Sequence, residues 1–295
     1  MQRLRQLTFE SIPTISAIYF ALLQSGYDYY EIERNQEQIA WLRRFADTTE
    51  HLPYWEKVHQ NTCKVYSYWP RAAILETASF FLSPDNSGFR DYDALYARIM
   101  SAGNIADHER DQCLWDWMKD FPKAIDGVLA SASFQRYLEW EQEWISKQNE
   151  LYAHELHKIQ SCLEMCVTRY KSPVQEMQIV INPIKCVYSS DYHLIGNRFV
   201  FCSGSFRVDS VIHEFLHHVV HPVVVEQADA VLAENRKYPG VDISYYLLEE
   251  RVGILNAFEE YAVRALTEDM MVEHFPENMS IYLAALLHEI PYQKI

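Results

Sequence analysis

A His-Glu-x-x-His motif at His213, Glu214 and His217 carries the clearest chemistry in this sequence. Two histidines four positions apart on a helix lie on one face, so both imidazoles can bind the same small ion. Zinc accepts imidazole nitrogen, and a catalytic zinc site has three protein ligands and a water molecule. Glu214 follows the first histidine and can act as a general base toward that water. The motif therefore predicts a zinc site in which Glu214 is catalytic.

The residues around the motif predict a buried helix. The segment is apolar on most sides, through Val211, Ile212, Phe215, Leu216, Val219 and Val220. Polar side chains inside such a helix need partners, because burying them unsatisfied is costly, and a metal ion is the simplest partner for two histidines one turn apart. Ser205 is a candidate N-cap, and Pro222 is expected to end the helix. We predict a helix over about 206–221.

The third ligand has several candidate positions. The extended pattern His-Glu-x-x-His-x-x-Gly-x-x-His fails, because Val220 and Val223 stand where it needs Gly and His. His221 lies on the same straight helix, from which three consecutive turns cannot easily close around one ion. Cys202 precedes the helix by a short loop and is a weaker alternative. A carboxylate on a later helix is the remaining candidate.

That later helix is predicted over 245–268, and one glutamate falls within its apolar stripe. The stripe is formed by Leu248, Val252, Leu255, Ala262 and Leu266. Glu259 falls on this stripe, whereas Glu260 aligns with a polar face that includes Asn256 and Arg264. Because glutamate is seldom fully buried unless it is paired, coordination of a metal would explain Glu259. A buried ion pair with an arginine is the alternative role for Glu259, and Glu249 and Glu250 are alternative ligands.

The motif, followed by Glu259-Glu260-Tyr261-Ala262, resembles the gluzincin branch of the zinc metallopeptidases. The resemblance covers about residues 177–268. It implies that Glu259 is the third ligand, that Glu214 is catalytic, and that the chain binds one Zn²⁺ and hydrolyses a peptide or protein substrate. The separation of 42 positions between His217 and Glu259 is longer than in thermolysin-like or aminopeptidase-like members. The resemblance therefore implies the clan and not a subfamily.

A peptidase of this type also needs a hydrogen-bond donor for the developing oxyanion, and a surface for the substrate. Tyr261, Tyr282 and His288 are candidate donors. Strands are predicted at 177–182, 185–189 and 197–202, as a short sheet that leads into the motif helix. In the resembled family, the edge strand beside that helix binds the substrate backbone by strand addition. We expect residues 198–202 to take this role.

Composition and pattern predict an α+β, predominantly helical protein. The chain has 295 residues, 49% of them hydrophobic and only 8 of them glycine. A helical region at 1–172 precedes a zincin-like catalytic domain at 173–295, with the boundary near Pro173. Helices are predicted at 11–29, 31–48, 53–68, 70–82, 90–101, 105–119, 121–130 and 133–170. All seven tryptophans lie in the helical region, where they form a core or line a cleft for peptide side chains.

Charge and composition exclude several classes of partner. The formal net charge of −15 argues against a nucleic-acid partner, which needs a basic surface. No apolar run is long enough to cross a membrane, and no targeting segment is convincing. The six cysteines form no disulfide framework, so we expect a cytoplasmic protein of unknown oligomeric state. The rival hypothesis is a non-catalytic zincin-like scaffold that binds a partner protein. Hydrolysis of a non-peptide amide is a third possibility.

Overall fold

A computed structural model describes residues 7–26, 40–45, 52–65, 72–100, 118–187, 190–234 and 250–284. At 59–65, 99–100 and 250–252 it describes the backbone only. The described residues are mostly helical and contain one four-stranded sheet, which confirms the predicted α+β class. The helices predicted at 31–48 and 105–119 lie largely outside them.

The helices of the described residues are numbered here in chain order. They are α1 (Pro13–Gln24), α2 (Leu52–Val65), α3 (Ala73–Ser79), α4 (Tyr92–Met100), α5 (Phe121–Leu129), α6 (Ala132–Leu151), α7 (Ala153–Arg169), α8 (Val208–Glu226), α9 (Ala228–Glu234) and α10 (Glu250–His274). Short 3₁₀ turns cover Arg43–Phe45 and Pro276–Asn278. Pro13 begins α1, where its missing N–H costs nothing.

The single helix predicted at 133–170 is divided into α6 and α7 at Tyr152. The backbone of Tyr152 leaves the helical region, with φ −106° and ψ 18°. Its ring packs edge-on against Phe9 and Phe206, at centroid distances of 6.0 and 5.2 Å. Just before the break, the Asn149 side chain exchanges two hydrogen bonds with the backbone of Phe9. These contacts with distant residues, which helical periodicity does not reveal, coincide with the break.

The sheet has the strand order β1-β2-β4-β3. The strands are β1 (Phe9–Glu10), β2 (Glu176–Ile181), β3 (Asp191–Ile195) and β4 (Arg198–Ser203). Strand β4 pairs in parallel with β2 and antiparallel with β3, so the prediction of an edge strand at 198–202 is wrong. The edge strand beside β4 is β3. The strand predicted at 185–189 is not found at residues 185–187, and residues 188–189 lie outside the described part of the chain.

Alternating side chains of the sheet separate two layers of helices. Phe199 and Phe201 of β4 pack with α7, α8 and α10, whereas Val200 and Cys202 pack with α1, α3 and α5. The first strand, β1, comes from the predicted helical region, so the sheet includes residues from both sides of the predicted boundary at Pro173. The sheet thus holds the motif helix α8 on one face and the N-terminal helices on the other.

Helix α8 carries the His-Glu-x-x-His motif and runs through Pro222 to Glu226. The prediction that Pro222 ends this helix is wrong. Proline removes one backbone hydrogen bond, yet Val220 and Val224 on either side of it are buried against the apolar layer. Burial of this face favours continuation of the helix. No helix among the described residues is long and apolar enough to cross a membrane.

Candidate metal centre

Helices α8 and α10 pack together and bring the two motif histidines against a carboxylate. The Nε2 atoms of His213 and His217 lie 3.1 Å apart. The carboxylate of Glu260 lies beside both, with Oε1 3.7 Å from His213 Nε2 and Oε2 3.4 Å from His217 Nε2. All three side chains are partly buried. The arrangement brings two imidazole nitrogens and one carboxylate group together.

These distances fit a tetrahedral zinc ion. Zinc binds histidine nitrogen and carboxylate oxygen at about 2.0–2.2 Å, which places neighbouring ligand atoms about 3.3 Å apart in a tetrahedron. The two Nε2 atoms lie 3.1 Å apart, close to this value, and the Glu260 carboxylate approaches them through different oxygens, at 3.4 Å from His217 and 3.7 Å from His213. One ligand atom from each of the three residues lies within 4.8 Å of the other two. Two imidazole nitrogens that face each other this closely also favour a shared cation. The donor set of two histidines and one glutamate is one that zinc uses in hydrolytic sites.

Glu259, the predicted third ligand, faces another side of the histidines. Its Oε1 accepts a hydrogen bond from Nδ1 of His217, and its Oε2 from Nδ1 of His221, each at 2.8 Å. Glu259 therefore contacts the ring nitrogen of His217 that points away from His213. Glu260, which the sequence placed on a polar face, holds the position that was expected of Glu259.

Burial along α10 does not follow the predicted stripe. Its buried residues include Ala257, Glu259, Val263 and Thr267, and Glu260 is partly buried between them. The predicted stripe through Leu255, Ala262 and Leu266 is only partly buried. Because α8 and other elements cover several sides of α10, hydrophobicity does not identify one inward face. Consecutive residues of a helix differ by about 100° around its axis, and the packing decides which glutamate faces the Nε2 atoms of His213 and His217.

Arg264 holds the other side of the Glu260 carboxylate. Its Nε donates to Glu260 Oε1 at 2.7 Å, from one turn further along α10. Oε2 of Glu260 is the oxygen nearest His217. Arg264 therefore fixes the orientation of the carboxylate and favours its ionised form.

Electrostatic interactions around the site favour ionised glutamates and a protonated His217. Burial by itself lowers the pKa of His217, but hydrogen bonds with Glu259 and Glu260 and the charges of Glu260 and Glu214 outweigh it and raise the pKa to about 10. Burial raises the pKa of Glu260, yet His213, His217 and Arg264 hold it well below its usual range. In this arrangement, a proton on His217 provides positive charge at the place where a metal ion would provide it.

Glu214 and Tyr192 lie close enough to influence this centre. Glu214 is partly buried on α8, and its charge raises the pKa of His217 and of Tyr192. The Tyr192 ring, on edge strand β3, is nearly parallel to the His217 imidazole, with 6° between their planes and 6.3 Å between centroids. Tyr192 was not among the predicted site residues. The only available signal was a short alternating pattern at 191–195.

The remaining predicted site residues are the alternative ligands Cys202, Glu249 and Glu250 and the candidate oxyanion donors Tyr261, Tyr282 and His288. Cys202 is buried on the opposite face of the sheet from α8, so the structure does not bring it to the histidine pair. Tyr261 is 42% exposed, and Tyr282 is buried in the apolar layer that includes α8. The side chains of Glu249, Glu250 and His288 lie outside the description. The oxyanion role stays a prediction for Tyr261, Tyr282 and His288.

A second group of possible ligand side chains, Glu76, His193 and Cys202, lies on that opposite face. The ammonium group of Lys185 is 2.7 Å from Glu76 Oε1 and 2.6 Å from Asp191 Oδ2. His193 Nε2 is 2.7 Å from Glu76 Oε2. Because Lys185 already supplies the cation, we interpret these residues as a buried ion-pair cluster. Breaking such a cluster is costly, and its charges link α3 to the sheet.

Comparisons with known proteins found no match for this chain. No protein-family model matches the sequence, and neither a curated protein nor a solved structure matches it significantly. The function is therefore inferred from the geometry of the site.

Proposed function

We propose that this protein is a zinc-dependent metallopeptidase whose ligands are His213, His217 and Glu260. The observation that carries the proposal is the convergence of two Nε2 atoms and one carboxylate within 3.7 Å of one another. A bound zinc ion supplies a Lewis acid that acidifies a water molecule and polarises a carbonyl group. The proposal keeps the zincin-like interpretation of the sequence and replaces Glu259 by Glu260 as the third ligand.

Glu214 is the proposed general base. It adjoins His213 on α8 and is partly exposed, so a water molecule can reach its carboxylate. The carboxylate takes a proton from the attacking water and passes it to the departing amine. Glu259, Glu260 and Glu214 together make the surroundings of the histidines acidic, which favours binding of a divalent cation.

The proposed substrate is an extended peptide that binds along β3. No strand among the described residues pairs with the outer edge of β3. Tyr192 of this strand stacks against His217, so the edge runs beside the motif helix. An extended peptide adds to such an edge through main-chain hydrogen bonds, and its side chains occupy alternating positions. The substrate-binding role predicted for residues 198–202 is therefore proposed for residues 191–195.

Substitution of Glu214 by glutamine tests this function. The zinc-loaded wild type is expected to cleave members of a mixed peptide library, detected by mass spectrometry. Glu214→Gln should keep its zinc and lose about 10²- to 10⁴-fold in rate, because the amide cannot accept the proton. Glu226→Gln, at the exposed end of the same helix, is the matched control and should retain activity. Cleavage that persists in Glu214→Gln would contradict the proposed base. A zinc-loaded wild type that cleaves nothing would favour the partner-binding scaffold.

A further inference from the structure

The carboxylate of Glu259 joins two imidazoles of the motif helix. Its two oxygens accept separate hydrogen bonds of 2.8 Å, one from Nδ1 of His217 and one from Nδ1 of His221. Glu259 is 9% exposed, so little water competes for these oxygens. His221 reaches Glu259 because it lies one turn after His217 on α8, on the same face as His213 and His217.

These contacts settle which nitrogen of His217 is available to a metal ion. A neutral imidazole has one N–H group and one free nitrogen, and a hydrogen bond at one nitrogen selects the tautomer. With Nδ1 donating to Glu259, the free nitrogen is Nε2, which faces His213 and Glu260. Histidine ligands of metals commonly donate their other N–H to a carboxylate in this way. Both oxygens of Glu259 are engaged by Nδ1 atoms, which leaves the ligand role to its neighbour Glu260.

We infer that Glu259 is a positioning residue that fixes the tautomer and orientation of His217, and that His221 acts through Glu259 by holding its second oxygen. The inference rests on the proposed zinc site. It divides the roles of two consecutive glutamates: Glu260 binds the metal, and Glu259 orients a ligand. It also gives His221, the third histidine on this face of α8, a function other than metal coordination.

Metal affinity distinguishes these roles. Glu259→Gln should still bind one zinc ion, with an affinity about 10- to 100-fold lower, as is typical when such a partner of a ligand is removed. Glutamine retains one acceptor oxygen, but its NH₂ group faces the N–H of the other imidazole. His221→Ala should lower the affinity by a smaller factor. In the Glu259→Gln background it should cause no further loss, because residues that act through one another are not additive.

The experiment measures zinc affinity by competition with a chelator for the wild type, both single variants and the double variant. Glu268 is exposed on α10, the helix of Glu259. Glu268→Gln is therefore the matched control and should bind zinc as the wild type does. Cobalt substitution adds a spectroscopic readout, since a reoriented His217 changes the visible absorption of the bound Co²⁺. Thermal unfolding of each metal-free variant identifies any that have merely lost stability.

The outcomes separate this inference from the proposed function. A wild type that binds neither metal overturns the proposed function and the inference with it. A wild type that binds zinc while Glu259→Gln binds none would make Glu259 itself a ligand and overturn the inference alone. Wild-type affinity and an unchanged cobalt spectrum in Glu259→Gln would also overturn it. If His221→Ala lowered the zinc affinity of Glu259→Gln by the same factor as it lowers that of the wild type, His221 would not act through Glu259.

Discussion

Replacing Lys185 by methionine tests whether the buried ion-pair cluster stabilises the fold. The Lys185 side chain is 1% exposed, and its ammonium group contacts Glu76 at 2.7 Å, Asp191 at 2.6 Å and the hydroxyl of Tyr19 at 2.8 Å. These partners come from α3, β3 and α1. Lys185 therefore connects the N-terminal helices with the edge strand of the sheet.

The expected cost follows from what the substitution leaves behind. Methionine fills much of the space of the lysine chain but carries no charge, so the buried carboxylates of Glu76 and Asp191 lose the ammonium group that they share. Removal of one partner from a buried ion pair costs about 3–5 kcal/mol. We expect a loss in this range, which is a large share of the roughly 5–15 kcal/mol that stabilises a typical domain.

Urea unfolding of wild type and Lys185→Met measures the loss, as a lower midpoint with an unchanged slope. Lys147→Met, an exposed lysine on α6, is the matched control. Its unfolding free energy should stay within about 0.5 kcal/mol of the wild type, as for most surface substitutions. If Lys185→Met were as stable as this control, the cluster would contribute no net stability and the reasoning would be refuted.

Three further predictions concern the same core. Gly204→Ala should destabilise by at least about 1–3 kcal/mol, because a Cβ would lie 1.9 Å from the carbonyl oxygen of Lys185, whereas Gly88→Ala meets nothing within 4 Å. Urea midpoints at or above the wild type in Gly204→Ala would contradict this. Glu141→Gln should cost about 2 kcal/mol or more in the same assay. The two oxygens of Glu141 accept hydrogen bonds from the side chains of Ser11, Ser16, Tyr137 and Asn182, and in glutamine an NH₂ group replaces one of these oxygens. Burial raises the pKa of Glu76, but Lys185 and His193 hold that pKa well below 4.5 in the folded protein. The ionised carboxylate therefore stabilises the fold above pH 4.5, and this contribution is lost as the pH falls through the lowered pKa. The stability difference between wild type and Lys185→Met should therefore narrow in acid, and a difference that widens would contradict the assignment.

The motif itself follows from local spacing. His213 and His217 lie on one face of α8 because residues four apart on a helix share a face, and this holds whatever packs against them. The approximate position of α8 and the helical character of α10 follow from periodicity in the same way. The strands at 176–181 and 198–203 agree with the predicted segments to within a residue or two.

The proposed third ligand and the edge strand depend on contacts between distant segments. Which glutamate faces the Nε2 atoms of His213 and His217 is decided by the rotation of α10 about its own axis, and that rotation is set by its packing on α8. Strand order is likewise a property of pairing, so the position of β4 inside the sheet could not be read from residues 198–202. The contacts of Tyr192 with His217 and of Lys185 with Glu76 join residues far apart in the sequence, and no local pattern indicates them.

Zinc content of the purified protein tests the central claim most directly, in the wild type beside His213→Ala and Glu260→Gln. The proposed site predicts about one zinc ion per chain in the wild type and loss of that zinc in both variants. Each variant alters one of the three side chains whose imidazole and carboxylate groups approach one another within 3.7 Å. A wild type that binds no zinc after the metal is added, or a Glu260→Gln variant that retains full occupancy, would contradict this account.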